Sequence, residues 1–150
     1  MRAVIQRVKN AKVSVDGKLH SETNAGMMIL LGVDVYDNND DLQWLAGKIA
    51  KLRIFDDEEG VMNNDITQVS GEVMLVSQFT LLANTKKGNR PSYVRAARPD
   101  KAVPMYEEMR DKLAELTQRP VKTGAFGEEM QIELVNDGPV TIFIDSKNKE

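Results

Sequence analysis

Apolar and polar positions alternate loosely along residues 2–8, a stretch rich in β-branched side chains, and alternate cleanly at Lys12-Val13-Ser14-Val15. A period of two marks a strand with one buried face. Asp16-Gly17 follows as a hairpin signal, and residues 18–23 supply the returning strand. From Met27 to Val33 the chain is almost continuously apolar, at the length of a buried strand. The period then changes. Leu42, Leu45, Ile49 and Leu52 recur at helical spacing, with Asn38 and Asn39 ahead of them as caps. Asp40 and Asp41 place negative charge where the helix N-terminus attracts it. Asp56 to Gly60 reads as a polar turn that closes this unit.

Residues 72–83 read as one long apolar strand, followed by a polar loop from Thr85 to Ser92. A second helix is predicted from about Asp100, with Pro104 tolerable only near its first turn. Tyr106, Met109, Leu113 and Leu116 form its buried stripe, and Pro120 stops it. Met130, Ile132 and Leu134 alternate with Gln131, Glu133 and Val135, a Gly-Pro turn follows, and Val140 to Asp145 makes the last strand. Ser146 to Glu150 is a charged tail expected to fray. The order βββαβαββ predicts a single α+β domain spanning residues 1–150, with mostly antiparallel, barrel-like sheet and two main helices.

Composition narrows the chemistry. With 150 residues the chain is long enough for a real core. It has no cysteine, which removes disulfides, thiol nucleophiles and zinc–thiolate sites. Its single histidine, His20, excludes a His-rich metal site within one chain, so neither metal nor cofactor is expected. No apolar run reaches membrane-spanning length, and the N-terminus lacks a signal peptide's apolar centre. No membrane partner and a cytoplasmic location are therefore expected. The net charge of -3 means that a nucleic-acid partner would have to be met by a local basic patch.

Two short segments carry the candidate chemistry. Ser77-Gln78-Phe79-Thr80-Leu81 sets hydroxyls and an amide inside an apolar run, where unpaired polar groups cost a few kcal/mol each. In a regular strand Gln78 and Thr80 would share one face, and Ser77 and Phe79 the other. A strand end near Gln78 would instead free main-chain N–H groups for a ligand. The plain reading pairs the hydroxyls with neighbouring backbone and puts Phe79 in the core. The hydrolytic reading makes Thr80 or Ser77 a nucleophile, which needs an adjacent base. His20 is the only histidine, no spacing ties it to either residue, and no Gly-x-Ser-x-Gly elbow exists. Without a base, the segment can still offer an oxyanion hole of main-chain N–H groups and the Gln78 amide. The second segment is Asn136-Asp137-Gly138-Pro139-Val140-Thr141. It reads either as a hairpin turn or as a ligand-facing feature. Gly138 permits close approach, and an X-Pro bond adopts cis for only about 0.5–1 kcal/mol.

Together, in this order and spacing, the two segments resemble the D-aminoacyl-tRNA deacylases. The opening Met1-Arg2-Ala3-Val4-Ile5-Gln6-Arg7-Val8, the loop Gly88-Asn89-Arg90-Pro91-Ser92 and Gly124-Ala125-Phe126-Gly127 match the same family. The resemblance implies hydrolysis of the ester between a D-amino acid and the terminal adenosine of tRNA, and clearance of glycine mischarged on alanine tRNA. It implies a homodimer with active sites at the subunit interface. Gly138 and Pro139, joined by a cis bond, would reach into the partner's pocket, hold the substrate amino group and exclude an L side chain. Arg7 would fix that motif. Ser77, Gln78, Phe79 and Thr80 would line the pocket, with donors around Phe79 and Thr80 binding the reacting carbonyl. Either Thr80 is the nucleophile or the tRNA's 2′-hydroxyl assists a water. Lys86, Lys87 and Arg90 are the candidate tRNA contacts, and Arg7, Lys9 and Lys12 form a second basic group. A small Thr/Ser esterase, a non-catalytic RNA-binding module and a plain structural dimer are the competing readings.

Overall fold

The computed structural model describes residues 1–149. The alternating N-terminal pattern forms one long strand, β1 (Arg2–Val15). Asp16 and Gly17, at φ 50° and 73°, turn the chain into β2 (Lys18–Thr23). The apolar run forms β3 (Gly26–Gly32), antiparallel to the first half of β1. Helix α1 (Asn39–Ala50) opens on a capping box: Asp41 N–H donates to the Asn38 side chain at 3.2 Å, and Asn38 N–H donates to the Asp41 carboxylate at 3.0 Å. A small ribbon, β4 (Phe55–Asp56) and β5 (Met62–Asn64), flanks the predicted polar turn. Then come β6 (Glu72–Ser77), helix α2 (Pro99–Thr117) with a proline at its first position, β7 (Val121–Thr123) and β8 (Met130–Asp145).

The main sheet runs β2-β1-β3-β6-β7, with β8 laid along β1. β1 is antiparallel to β2, β3 and β8, whereas β3–β6 and β6–β7 are parallel. The two ends of that order meet, because Ser21 Oγ on β2 donates to the Thr123 carbonyl on β7 at 2.6 Å. The sheet is thus a nearly closed, barrel-like wall. Both its faces are covered, which is why β3 and β6 read as unbroken apolar runs. Ile5, Ile29 and Leu75 face Leu42, Leu45 and Ile49 of α1 and Tyr106, Met109 and Leu113 of α2. Val8, Ala11, Val13, Met28, Met74 and Val76 fill the other side.

Three expectations are corrected. The strand predicted over 72–83 stops at Ser77, and Phe79–Leu82 form a 3₁₀ turn. β3 ends at Gly32, leaving no ladder beyond the Gln78 N–H bond to the Leu31 carbonyl at 2.7 Å. A Cβ at Gly32 would lie 2.5 Å from Leu82 Cδ2, so the missing side chain lets the turn fold back onto β3. The hairpin predicted around Gly138-Pro139 is instead a bulge in one strand. Gln6 pairs with Thr141 and Val8 with Asn136, so Arg7 alone faces residues 137–140. Both flanks remain paired to β1, which removes any need for a reversal.

The charged tail is docked through residue 149, and Glu150 lies outside the described residues. Ser146 is buried. Its hydroxyl accepts from the Met1 amino group at 2.6 Å and donates to Asp41 at 2.8 Å. Lys147 Nζ reaches the same carboxylate at 2.6 Å. A buried carboxylate that needs partners is what holds the tail.

Burial pushes the Asp41 carboxyl up, but bonds from Lys147, the Asn38 N–H and Ser146 outweigh it and leave the group below its ordinary 3.8. Such a group contributes stability above its unfolded pKa and loses it as pH falls through the folded value. Asp41→Asn should therefore cost about 1–3 kcal/mol at neutral pH. That deficit should shrink progressively below 3.8. Urea melts of both proteins across the acid range check this, and a deficit that persists unchanged in acid contradicts it.

Candidate active site

The end of β6 builds a ridge. Ser77 closes the strand, Gln78 turns the chain at φ -146° and ψ 83°, and the 3₁₀ turn begins at Phe79. The first bond of that turn runs from Leu81 N–H to the Gln78 carbonyl at 3.3 Å. The main-chain N–H groups of Phe79 and Thr80 precede it, so the turn itself supplies them no acceptor. The Gln78 side-chain amide donates to Thr80 Oγ1. Gln78 and Thr80 thus brace each other across the ridge, which takes one of the two N–H donors of that amide.

Cavities lie on both sides of the ridge. The larger, about 400 Å³, is lined by Leu31, Ser77, Gln78, Phe79, Tyr93, Arg98, Ala102, Tyr106, Phe126 and Gly127. Its walls are aromatic: Phe79 meets Tyr93 edge-on at 5.1 Å between ring centres, and Tyr106 meets Phe126 at 5.6 Å. The smaller, about 270 Å³, shares Ser77, Gln78, Phe79 and Gly127 and adds Val76, Glu128, Met130 and Ile132. Thr80 lines neither.

The site is poor in acid–base groups. Burial pushes the Tyr106 hydroxyl up to about 12, and it donates to the Leu75 carbonyl at 2.7 Å, so it stays protonated. His20 sits exposed on β2 and lines neither cavity. Glu128, exposed at the smaller cavity, is the one carboxylate lining either. Among the described residues no hydrogen bond joins a base to the Ser77 or Thr80 hydroxyl, and no cluster of His, Cys, Asp or Glu could hold a metal. No helix among them is long and apolar enough to cross a membrane.

The Gly138–Pro139 bond is cis, and both residues are exposed on the bulge. Asn136 Nδ2 closes its base by donating to the Arg7 and Val140 carbonyls, each at 3.0 Å. Arg7 holds it from the side through Nε and the Asp137 carbonyl at 3.2 Å. The bulge lines neither cavity of its own protomer. Arg7 is buried among these partners, which removes it from the basic group predicted with Lys9 and Lys12. Lys86, Lys87 and Arg90 are exposed on a loop whose ends are joined by reciprocal Asn84–Ser92 main-chain bonds of 2.8 and 2.9 Å.

Sequence reasoning missed Tyr93, Arg98 and Tyr106 as wall residues. Tyr106 carried only the signal of a helix core stripe. Phe126 and Gly127 were visible only as part of the Gly124–Gly127 match.

Two helices over a nearly closed sheet, with a ridge at the end of β6 bordered by two cavities, define a small single-domain α+β protein with a candidate hydrolytic site. The comparisons agree. A family model described as D-Tyr-tRNA(Tyr) deacylase matches residues 4–145. The D-aminoacyl-tRNA deacylase of Parabacteroides distasonis is 55% identical over 150 residues, covering 100% of both chains. That of Bacteroides fragilis is 54% identical with the same coverage. A solved structure of a c-Myc DNA unwinding element binding protein superposes with a TM-score of 0.92 at 36% identity, over 97% of this chain and 98% of that one. A probable eukaryotic D-amino acid tRNA deacylase shares the fold, with a TM-score of 0.81 at 15% identity over 95% and 97% of the two chains. The chain belongs to the D-Tyr-tRNA(Tyr) deacylase family.

Proposed function

We propose that this protein hydrolyses the ester joining a D-amino acid to the terminal adenosine of tRNA, releasing free D-amino acid and tRNA. The observation that carries the reading is the ridge at Ser77–Phe79. Ser77, Gln78 and Phe79 border both cavities, the turn leaves the Phe79 and Thr80 N–H groups without an acceptor of its own, and no base is hydrogen-bonded to the Ser77 or Thr80 hydroxyl among the described residues. An aminoacyl ester is already reactive, so positioning and oxyanion stabilisation suffice as the sources of acceleration. The larger cavity, apolar with aromatic walls, suits the adenine and ribose. The smaller one, across the ridge, suits the aminoacyl group. The ester carbonyl then lies against the ridge donors, and the neighbouring 2′-hydroxyl of the ribose assists the attacking water. Thr80 braces the turn through Gln78.

A homodimer completes the site. The cis Gly138–Pro139 bulge is exposed and outside its own protomer's cavities, so a second copy can receive it. Its carbonyls accept the substrate ammonium and leave no room for an L side chain. Exclusion by main-chain atoms rejects the wrong hand by clash. Glycine, with no side chain to exclude, passes the same filter, which extends the substrates to glycyl-tRNA(Ala). Lys86, Lys87 and Arg90 meet tRNA phosphates near the site, and a tRNA substrate places the protein in the cytoplasm.

Matched D- and L-tyrosyl-tRNA provide the test. Release of D-tyrosine with the L-ester spared is the expected result, and equal rates or no release overturn the function. Thr80→Val should retain single-turnover activity within about threefold, under 1 kcal/mol of barrier. Glu128→Gln should do the same if no side-chain base operates. An acyl group trapped on Thr80 and mapped by mass spectrometry would refute the assisted-water mechanism.

A further inference from the structure

We propose that the groove between α1 and the end of β8 carries the phosphate backbone of the RNA body, with Trp44 at its centre. The inference rests on the reading of the substrate as an aminoacyl-RNA and names where the rest of that RNA lies. Two depressions of about 510 and 500 Å³ share Trp44, Lys48 and Leu52, and so form one continuous groove. Lys51 and Arg53 line one end, and Phe143, Asp145 and Lys149 line the other.

Charge identifies the occupant. The chain as a whole carries -3, yet four cations converge here. Among the described residues none of Lys48, Lys51, Arg53 and Lys149 is ion-paired, whereas Lys147 beside them is held by Asp41. Asp145 is the only carboxylate on the groove wall, and Arg2 already neutralises it at 2.8 Å. Arg53 donates to the Asn63 carbonyl at 2.7 Å and feels Asp65 beyond the groove. Two ammonium groups stand over the Trp44 ring, Lys48 at 5.7 Å and Lys149 at 4.6 Å from its centre. Basic side chains around a half-exposed aromatic ring match a polyanion that also offers stacking surfaces.

The groove is also joined to the catalytic ridge. Arg2 binds Asp145 on the groove wall through Nε, and its Nη1 donates to the Leu81 carbonyl at 2.8 Å inside the 3₁₀ turn. One side chain therefore spans from the groove to the turn that carries Phe79 and Thr80. An RNA whose end enters the cavities has a cationic path alongside. The docked tail, which fixes Lys149 over Trp44, gains a role in that path.

Trp44 is the only tryptophan, so its emission reports the groove directly. Unacylated tRNA is titrated into the full chain at rising KCl, with the triple variant Lys48→Glu/Lys51→Glu/Lys149→Glu in parallel. The expected result is a saturable change in Trp44 emission. In the variant, affinity should fall at least about tenfold, and the slope of log affinity against log salt should flatten by about 2.7, at about 0.9 per lost phosphate contact. For D-aminoacyl-tRNA the variant should raise KM and leave kcat unchanged. For a D-aminoacyl adenosine, which lacks the RNA body, it should match the wild type, which also establishes that it folds. Emission indifferent to tRNA, an unchanged salt slope, or emission that follows protein concentration instead of RNA overturns the proposal. The last outcome assigns the groove to a second copy of the chain. Absence of D-ester hydrolysis by the wild type would instead overturn the functional reading, since the emission titration needs no catalysis.

Discussion

Gly138→Ala is expected to lower kcat/KM for D-aminoacyl-tRNA by about tenfold to a hundredfold, more than any change to the bulge's side chains. Gly138 holds φ at 126°, where an L side chain is strained whatever room surrounds it. There is little room. An added Cβ would stand 2.8 Å from Val140 Cγ2, 3.0 Å from Val140 N and 3.3 Å from Arg7 Nη2. Val140 packs on the main core and Arg7 is buried, so neither can yield without moving β1 or β8. The bulge must shift instead, at a cost of about 1–3 kcal/mol. If that displacement is felt in the transition state, each 1.36 kcal/mol or so is a tenfold loss.

The comparison variant is Asn136→Ala. It removes two hydrogen bonds of 3.0 Å at the base of the bulge but leaves the backbone path available. Each such bond contributes about 0.5–1.5 kcal/mol net, and water can replace part of it at a half-buried site. The L-to-D rate ratio should rise in Gly138→Ala and stay low in Asn136→Ala. Equal effects of the two variants on deacylation would reduce Gly138 to a turn residue with no part in chirality.

Local rules made both helices legible. Asn38 caps α1 as predicted, because a side-chain acceptor for a first-turn N–H depends on residues within one turn. Tyr106, Met109 and Leu113 are buried on α2 as their spacing requires. The hairpin at Asp16-Gly17 formed for the same reason, since positive φ is a local demand.

What escaped depends on distant partners. Residues 79–82 are apolar enough for a strand, but nothing within the segment reveals that β3 runs out at Gly32. Residues 136–140 carry a turn signal that is correct locally: the chain does leave the ladder. The return to the same partner strand is set by β1, more than a hundred residues earlier. The parallel β3–β6–β7 pairings and the docking of Ser146 on Asp41 are likewise invisible in any window of sequence. Ser77, Gln78 and Phe79 stood out as candidates because hydroxyl and amide groups in an apolar run demand a reason, and the structure places all three along two cavities. The aromatic walls were not, because a buried aromatic residue is unremarkable in a helix stripe.

Arg7→Met should be the most damaging of the side-chain substitutions, and Arg7→Lys should rescue little. Four contacts converge on this guanidinium: Nη1 donates to the Ile54 carbonyl at 2.8 Å and to Asp56 at 3.1 Å, while Nε meets the Asp137 carbonyl at 3.2 Å and its carboxylate at 3.4 Å. The two carboxylates are substantially exposed, so their pairing contributes at most about 1 kcal/mol each. The carbonyls decide the outcome. Ile54 is buried, and an acceptor left there without its donor costs about 1–3 kcal/mol. The Asp137 carbonyl immediately precedes Gly138, so losing its donor frees the bulge as well as weakening the fold. A lysine presents a compact ammonium that cannot span both the Ile54 and the Asp137 side in one geometry. Arg7→Met is therefore expected to lose about 2–3 kcal/mol of stability. It should lose about a hundredfold in kcat/KM and, with the bulge acting as the proposed chiral filter, show a higher L-to-D rate ratio than the wild type. Because the hold is mainly on main-chain carbonyls, added salt should not mimic the variant in the wild-type enzyme. A wild type that loses its D-over-L preference in high salt would mean that the exposed Asp56 and Asp137 carboxylates, not the carbonyls, hold Arg7 in place.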